Sequence, residues 1–531
     1  MAQVDGIKSG PVPASGSNRE TKAVTQARRS EGVPDAGWLE WRATRRTCIV
    51  IATLFFIKFA AFSLYLTPFW DIPDESGHYA YVEDLSHGHL PVLGEARMSQ
   101  DVADSWIGPG ARRGRNWIAQ HPPLFYSLAA PVVAAVRASG GDFSAQVHAA
   151  RLVSSLIGAL AILGMMAFLT VATGRRLLGI AGGVFLGATP MFTQLGSGVT
   201  HDTLVACTVA WACYWLVRWL DSNRLSHALW CAFIAGLSCV TKITALPMAI
   251  PLFFLMALWM LRTRGLSTPL ATLARIGLIW LVMFAPVVIW GIHNFLHFHE
   301  MFPNAGLLNV YPDNPTEMGF WEYMQKYPIW QVVLLNFIGL IGWMGTVPGS
   351  VVTVQANGFI AQLFVGILLF CSSFSILHAS RLLRDDRRQL ACLAIVAVSC
   401  IALGLTISTY RYATITCIAI FIMTAWIGLR SLPTLLNPSA RPWLMLTGCI
   451  CIAFFTVLYY HHIWENYTQI GRVKALHGRY FYTVMPFLSL LMLWPLRKGL
   501  LPVAAVAVAA VSLFVSDAFF LHDAFVMYGL F

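Results

Sequence analysis

Charged side chains are scarce in this sequence. Asp, Glu, Lys and Arg make up 11% of the 531 residues, whereas soluble domains carry roughly 25%. Hydrophobic residues make up 57%, and the mean hydropathy is +0.64. This composition excludes an ordinary soluble protein and predicts an all-α polytopic membrane protein whose solvent is the lipid bilayer.

Acidic residues are fewer than basic ones, 25 against 36, which gives a net charge of +11. The Lys and Arg residues fall mostly in short links between apolar runs, which is the topology signal of membrane proteins. No basic stripe with interleaved aromatic residues is present. We therefore expect the bilayer, and no nucleic acid, as a partner.

The sequence also lacks the cysteine spacing of a metal site or a disulfide framework. Its 11 cysteines lie inside or at the ends of apolar runs, as Cys207, Cys213 and Cys449 do. This placement is typical of small apolar side chains that fill space.

No cleavable signal peptide is visible, because the first apolar run starts too late. Residues 1–46 are rich in Ser, Gly, Pro and charge, which predicts a disordered tail. Basic residues before the first span place that tail in the cytoplasm; they are Arg28, Arg29, Arg42, Arg45 and Arg46. The remainder, residues 47–531, is predicted to be one transmembrane domain.

Long apolar runs fill that domain, and the basic links between them give the orientation. About thirteen spans of about 20 residues place the later basic clusters, from Arg175 to Lys498, in the cytoplasm. The predicted spans are 47–68, 148–172, 178–196, 203–220, 227–241, 243–262, 272–296, 358–379, 389–408, 412–430, 442–460, 480–496 and 499–518. The large outer loops are then 69–147, 297–357 and 461–479.

Two further apolar stretches would reverse the orientation of the later spans if either one alone crossed the membrane. Residues 121–139 are predicted to form a helix on the outer surface, opened by prolines that suit a helix start. Residues 330–348 are predicted to be interfacial or re-entrant. The alternative is that both stretches cross the membrane. The spans after the second stretch then keep their predicted orientation, but the basic clusters at 175–176 and 262–264 lie outside the cytoplasm.

Ionisable residues gather where the chain leaves its first span, in "DIPDESGHY" from Asp71 to Tyr79. Such groups beside a bilayer are costly, which marks them as functional candidates; the alternative is a solvated acidic loop. Pro73 fixes the approach to Asp74, and a helix starting there would hold Asp74 and Glu75 ionised. An ionised carboxylate can take a proton from a hydroxyl.

A second outer acid, Asp202, lies in "VTHDTL" before the fourth span, next to His201. Its alternative role is a helix cap. Histidines in "HHIWENY", residues 461–467, suggest a metal site only weakly, so a solvated loop is the preferred interpretation there.

Cations on the predicted outer face are unexpected, because Lys and Arg are usually concentrated in cytoplasmic loops. The candidates are His121, Lys242, Arg411 and Arg479, with Arg472 and Lys474 nearby. A phosphate would explain them, because charge-assisted hydrogen bonds contribute roughly 1.5–3 kcal/mol each. The alternative is ion pairing with the outer acids. Acids for a hydroxyl proton and cations for a phosphate suit the transfer of a lipid-phosphate-linked group to a hydroxyl.

These residues resemble the GT-C superfamily of glycosyltransferases that use polyprenyl-phosphate sugars, which includes protein O-mannosyltransferases and the lipid A aminoarabinose transferase. The resemblance is closest to little-characterised bacterial members with a "PDE..H" first loop. The shared motifs are "PDESGHY", "HPPLFYSLAAP", "THD", "LSCVTKIT" and "HGRYFYTVMPF". The family implies a GT-C fold with a large first outer loop carrying surface helices.

The resemblance also implies roles. Asp74 would activate the acceptor, Glu75 would contact the acceptor or orient the base, and Asp202 would be essential. His121 stands where the aminoarabinose transferase has a phosphate-binding Lys. Further contacts to the acceptor or sugar are expected from Asp71, His78, Tyr79 and His201. The family works by inversion, and the branch with an Asp-Glu pair implies no metal or other cofactor, although distant members use a divalent metal.

The expected partners are a polyprenyl-phosphate sugar and a glycan, lipid or protein acceptor of the cell envelope. The expected location is the bacterial plasma membrane, with the active site outside. A transporter or flippase for lipid-linked sugars is one alternative, although paired broken spans in two halves, common in transporters, are absent. An O-antigen ligase or polymerase is the other alternative.

Overall fold

The computed structural model describes residues 36–105, 114–264, 268–303, 315–339, 352–380, 383, 385–471, 473 and 476–528. Within these ranges the chain forms α-helices and short 3₁₀ or π turns, with one isolated β-bridge between Arg97 and Arg115. The prediction of an all-α membrane protein is confirmed.

The first part of the chain builds a bundle around a long central helix. Its helices are α1 (Ala36–Ala61), α2 (Glu75–Ser86), α3 (Gln100–Asp104), α4 (Leu124–Ala138), α5 (Phe143–Thr173), α6 (Arg176–Ala188), α7 (Pro190–Ser197), α8 (Asp202–Ser222), α9 (Leu225–Cys239), α10 (Leu246–Arg264) and α11 (Pro269–Phe298). Helix α5 packs against α1, α6 and α8. It is buried along most of its length because its small residues allow close approach of these neighbours.

The second part adds helices that return to this bundle. They are α12 (Phe320–Lys326), α13 (Ile329–Ile338), α14 (Val352–Ala379), α15 (Asp386–Thr406), α16 (Thr409–Ser431), α17 (Ala440–Ile470), α18 (Met485–Leu493) and α19 (Leu501–Tyr528). A 3₁₀ turn, Gly478–Thr483, joins α17 to α18 and contacts α8 and α13. Gly478 permits this approach, since a Cβ there would lie 2.0 Å from the carbonyl oxygen of Val333.

Ten helices among the described residues are long and apolar enough to cross a membrane. Each coincides with a predicted span, but three other predicted spans differ. Span 178–196 is the pair α6 and α7, bent by 70°, because Pro190 starts a new helix and cannot continue the previous one. Helix α9 and the α18 segment are shorter apolar helices. The predicted number of about thirteen is therefore not confirmed.

Two predicted boundaries are wrong. Helix α1 begins at Ala36, so residues 36–46 are helical and do not belong to the tail; residues 1–35 lie outside the described ranges. Helix α17 continues to Ile470, so "HHIWENY" is helical and the loop is shorter than 461–479. The polar side chains support this extension through i,i+4 contacts such as Asn466 with His462, and Gly471 ends it in a left-handed conformation.

The two apolar stretches that were predicted not to cross the membrane, 121–139 and 330–348, contain short helices. Residues 121–139 contain α4, whose 15 residues span about 22 Å, less than the roughly 30 Å of a hydrocarbon core. In 330–348, α13 ends at Ile338 and residues 340–348 lie outside the described ranges. These lengths support the interpretation of 121–139 as a surface helix.

Orientation is a testable prediction. A reporter fused after Gly140, in the turn between α4 and α5, is expected to be active outside the membrane, and one fused after Arg388 is expected to be active in the cytoplasm. Paired reporters that work only on opposite sides would measure this. A cytoplasmic signal after Gly140 would mean that residues 121–139 cross, and the orientation of every later span would be reversed.

Candidate active site

Asp74 lies in the turn that connects α1 to α2, in a left-handed conformation with φ 65°. This conformation is uncommon outside Gly, although Asn and Asp adopt it more often than other residues, and such backbone tends to cluster at functional sites. The Asp74 carboxylate does not cap α2. Its Oδ2 accepts a hydrogen bond from Nη2 of Arg479 at 2.8 Å, and its Oδ1 accepts one from Nε1 of Trp117 at 3.2 Å. A pure capping role is thus excluded.

Asp202 is the first residue of α8, and the capping position belongs to His201. Its Oδ1 accepts a hydrogen bond from Nζ of Lys242 at 2.5 Å, and its Oδ2 lies 3.4 Å from Nε of Arg479. Lys242 occupies the turn after α9, where two apolar helices meet. The predicted residues Asp74, Asp202, Lys242 and Arg479 therefore form one charge cluster, with two negative and two positive groups.

Arg479 is the link of the charge cluster, because it contacts both acids. Its Nη1 also donates to the carbonyl oxygen of Pro73 at 3.2 Å, so the same guanidinium holds the turn before Asp74. Asp202, Lys242 and Arg479 are nearly inaccessible, whereas the Asp74 side chain is 28% exposed. Asp74 is therefore the most exposed member of the charge cluster.

The neighbouring charges set the protonation of these groups. Burial alone would raise the pKa of the Asp74 carboxyl, but the charge of Arg479 and its hydrogen bond hold that pKa well below the usual range. Burial lowers the pKa of Lys242 to about 8, against the opposing attraction of Asp202. Asp74 is ionised at neutral pH, and Lys242 carries its charge below about pH 8.

Glu75 has a different environment from its neighbour Asp74. Its fully buried carboxylate accepts hydrogen bonds from Nε and Nη2 of Arg151 at 2.7 and 2.8 Å. It also accepts hydrogen bonds from the backbone amides of Val199 and Trp70, at 2.8 and 3.0 Å. The Arg151 side chain is equally buried and also donates to the carbonyl of Thr67. Glu75 thus holds α5 and the α7–α8 turn together. Its contact with the acceptor, or its orientation of the base, stays a prediction.

Three histidines line the other side of Asp202. His78 and His201 each lie within hydrogen-bond distance of the Tyr126 hydroxyl, at 2.8 and 2.9 Å, and the rings of His121 and His201 are 4.6 Å apart. Burial lowers the pKa of His78 and of His121 to about 3. Both are neutral at physiological pH, so His121 cannot supply the permanent positive charge of the lysine that it replaces in the resemblance.

The other predicted site residues lie elsewhere. Tyr79 is fully buried and packs against Trp70 and Phe143, so it belongs to the core. Its contact with the acceptor or sugar stays a prediction. Asp71 is half-buried in the turn before Pro73. Arg411 is exposed near the start of α16 and does not join the charge cluster; Arg472 and Lys474 lie outside the described residues.

Three residues of the site were not predicted from the sequence, namely Arg151, Tyr126 and Trp117. Arg151 had a visible signal, since an arginine near the start of an otherwise apolar span requires a partner. Tyr126 lies in the quoted motif "HPPLFYSLAAP", but nothing in the motif shows that its hydroxyl meets two imidazoles. Trp117 carries no pattern that distinguishes it from the chain's other 18 tryptophans.

No group of three or more His, Cys, Asp or Glu side chains within the described ranges is arranged to hold a metal ion. His461 and Glu465 are exposed and 4.0 Å apart, as expected of a solvated surface. The absence of a metal requirement remains a prediction.

Comparison with known proteins gives one family match. Residues 120–290 match the family described as dolichyl-phosphate-mannose-protein mannosyltransferase. This stretch includes His121, Asp202 and Lys242. No curated protein matches the sequence at a significant level.

Solved structures with similarity include an Archaeoglobus fulgidus oligosaccharyltransferase in the apo form, at 13% identity and a TM-score of 0.43. The match covers 90% of this chain and 56% of the archaeal one, so this chain spans just over half of that protein. ArnT from Cupriavidus metallidurans bound to undecaprenyl phosphate is 14% identical with a TM-score of 0.30, and the match covers 88% of this chain and 78% of that one. The apo form of the same ArnT is 13% identical with a TM-score of 0.31, and the match covers 84% of this chain and 76% of that one. The family match at residues 120–290 confirms the predicted resemblance over that part of the chain.

Proposed function

We propose that this protein transfers a sugar from a polyprenyl-phosphate donor to an acceptor hydroxyl, with inversion, and that Asp74 is the general base. The reaction takes place on the extracytoplasmic face of a bacterial plasma membrane. The acceptor is a glycan, lipid or protein of the cell envelope. The name of the matching family supports the donor class, because dolichyl-phosphate-mannose is a sugar carried on a polyprenyl-type phosphate.

The observation that carries the proposal is the accessibility of Asp74 within an otherwise buried charge cluster. Its side chain is 28% exposed, while that of Arg479 is 4% exposed. Each Asp74 oxygen receives one hydrogen bond, from Trp117 or Arg479. A carboxylate has about four lone-pair sites, so Asp74 keeps capacity for a substrate hydroxyl.

The proposed step is a single displacement. The acceptor O–H proton moves to Asp74 as the acceptor oxygen forms a bond to the anomeric carbon of the sugar. The bond from that carbon to the phosphate oxygen breaks, and polyprenyl phosphate leaves with the electron pair. Arg479 keeps Asp74 ionised before the step and fixes its orientation.

Lys242 and Arg479 are the proposed contacts of the donor phosphate. Both cations are already paired with Asp202, so a phosphate would share them with an acid of the protein. The Lys242 ammonium also lies 4.2 Å from the centre of the Tyr480 ring, which fixes its direction. His121 would contribute a neutral hydrogen bond. Arg411 has no role in this arrangement.

A direct assay separates an enzyme from a transporter. Purified protein in vesicles is supplied with a polyprenyl-phosphate sugar and with cell-envelope extract as acceptor, and released polyprenyl phosphate is measured. The proposal predicts release that depends on the acceptor and is lost in Asp74→Asn. Movement of the intact sugar lipid between leaflets with no release would instead identify a flippase.

The phosphate contacts give a prediction with a pH dependence. Arg479→Ala and Lys242→Ala are expected to raise the donor KM with less effect on protein insertion, because each removes a charge-assisted hydrogen bond. In the wild type the donor KM should rise as the pH passes above about 8, where Lys242 loses its proton.

Lys242→Arg is the matched control, since arginine stays charged and should remove that rise in KM. The measurement is initial rate against donor concentration from pH 6.5 to 9.5. Normal turnover of limiting donor by both alanine variants would exclude these two residues as the phosphate site.

A further inference from the structure

The hydroxyl of Tyr126 lies between two imidazoles, and the proposed reaction gives it no role. The distance from Oη to Nδ1 of His78 is 2.8 Å, and from Oη to Nδ1 of His201 it is 2.9 Å. All three side chains are almost fully buried. A buried chain of polar groups is stable only when each donor meets an acceptor, so its hydrogen positions are constrained.

Counting protons leaves two arrangements. A tyrosine hydroxyl has one hydrogen, so it donates to one of the two Nδ1 atoms and must accept a hydrogen bond from the other. Burial keeps the pKa of both histidines below its usual range, and a neutral imidazole carries its hydrogen on one nitrogen only. If His78 donates from Nδ1, its Nε2 is bare and His201 carries hydrogen on Nε2. In the reverse arrangement, Nε2 of His201 is bare.

Asp202 distinguishes the two arrangements. Nε2 of His201 lies 3.6 Å from Oδ1 of Asp202. A bare Nε2 would turn its lone pair toward that carboxylate, whereas an N–H there is attracted to it. Lys242 pairs with the same oxygen at 2.5 Å and partly neutralises it, and Arg479 approaches the other oxygen. The approach of Oδ1 of Asp202 to Nε2 favours hydrogen on that nitrogen of His201.

We infer that Tyr126 passes this preference on to His78, so that His78 presents a bare Nε2 as a hydrogen-bond acceptor to a hydroxyl of the substrate. The tautomer of a histidine is set by the hydrogen bond that its other nitrogen makes. Tyr126 donates to His201 and accepts from Nδ1 of His78. Tyr126 is therefore a positioning residue, and the substrate group that His78 selects is a hydrogen-bond donor.

The place of His78 in α2 fits this role. His78 follows Asp74 by four residues, and its backbone N–H donates to the Asp74 carbonyl oxygen at 3.0 Å. Residues four apart lie on the same face of a helix, so the acceptor nitrogen and the proposed base belong to one turn. This inference rests on the proposed function for its substrate: a sugar or acceptor that bears a second hydroxyl next to the reacting one.

Histidine-labelled protein tests the tautomers directly, without substrate. The probe is the ¹⁵N spectrum of the imidazole nitrogens of the full-length protein in bilayers, with His78 and His201 assigned from single replacements. We expect hydrogen on Nδ1 of His78 and on Nε2 of His201 in the wild type. Hydrogen on Nε2 of His78 in the wild type would overturn the inference.

Tyr126→Phe tests the coupling, and Tyr81→Phe is its matched control. Tyr81 stacks on Tyr126 with ring centres 3.9 Å apart, but its hydroxyl donates to the backbone of His121. Tyr126→Phe should release His78 into a mixture of tautomers, while Tyr81→Phe should leave its spectrum unchanged. An unchanged His78 spectrum in folded Tyr126→Phe would contradict the inference.

Transfer kinetics separate this inference from the proposed function. Loss of one neutral hydrogen bond costs roughly 0.5–1.5 kcal/mol, so Tyr126→Phe should lower kcat/KM by about 2- to 12-fold, and adding Tyr126→Phe to His78→Gln should lower it no further. Additive losses would contradict the coupling. Absence of transfer in the wild type, with the expected tautomers present, would instead refute the proposed function and with it the substrate assigned to His78.

Discussion

Asp74→Asn is expected to slow glycosyl transfer by about 10²- to 10⁴-fold while protein levels stay normal. Asparagine keeps the shape of the side chain, and its single oxygen can still accept the hydrogen bond from Arg479 or the one from Trp117, which reach different oxygens of the aspartate. The asparagine side chain cannot take the proton of the acceptor hydroxyl. The measurement is the rate of polyprenyl phosphate release at saturating donor, normalised to folded protein.

The matched control for this change is Asp101→Asn, an exposed aspartate of α3 outside the charge cluster. It removes the same charge from the same segment of chain between α1 and α5, and we expect transfer to stay near the wild-type rate. Near-normal transfer by Asp74→Asn would eliminate Asp74 as the base. Asp202 is then the next carboxylate to test, because it shares Arg479 with Asp74.

Arg151→Met is expected to reduce stability by roughly 3–5 kcal/mol, because it leaves the Glu75 carboxylate buried without its partner. Glu75→Gln should be destabilising for the reciprocal reason. The measurement is the midpoint of thermal inactivation in detergent, with the yield of folded protein from membranes. These changes act on folding, so any transfer by the surviving folded fraction should keep its donor KM.

Two variants show whether the buried pair is responsible. The double replacement of Glu75 by Gln and Arg151 by Met should recover part of the lost stability, because no unpaired charge remains. Glu465→Gln is the control, since its pairing with His461 is more than half exposed and exposed pairs contribute little. A Glu75→Gln protein that keeps its stability and loses only its affinity for the acceptor would instead support the acceptor contact that the family resemblance implies for Glu75.

The residues of the charge cluster could be predicted individually because hydropathy isolates them. Asp74, Asp202, Lys242 and Arg479 each stand at the end of an apolar run, where a charge is conspicuous. Their mutual pairing could not be predicted, because it depends on how helices distant in sequence pack. Lys242 and Asp202 are 40 residues apart, and Arg479 and Asp74 are 405 apart.

The division of labour between Asp74 and Glu75 was hidden for a different reason. The two acids are adjacent in sequence and invite a joint role, but the helix begins between them. Asp74 is held by its left-handed backbone in the turn, while Glu75 starts α2 and is directed into the bundle toward Arg151. The helix lengths could be predicted only in part. Hydropathy located the apolar segments, and Pro190 marks the break between α6 and α7, but the sequence does not give the 70° angle between them.

The long separation between Asp74 and Arg479 has a consequence for biosynthesis. Asp74 emerges from the ribosome with the first helices, and its cation emerges 405 residues later. At a synthesis rate of about 5–20 residues per second, the carboxylate waits for roughly 20 to 80 seconds without its partner. A chain that stops before Arg479 lacks the cation that pairs with Asp74. The charge cluster is therefore complete only when almost the whole polypeptide has been synthesised and inserted.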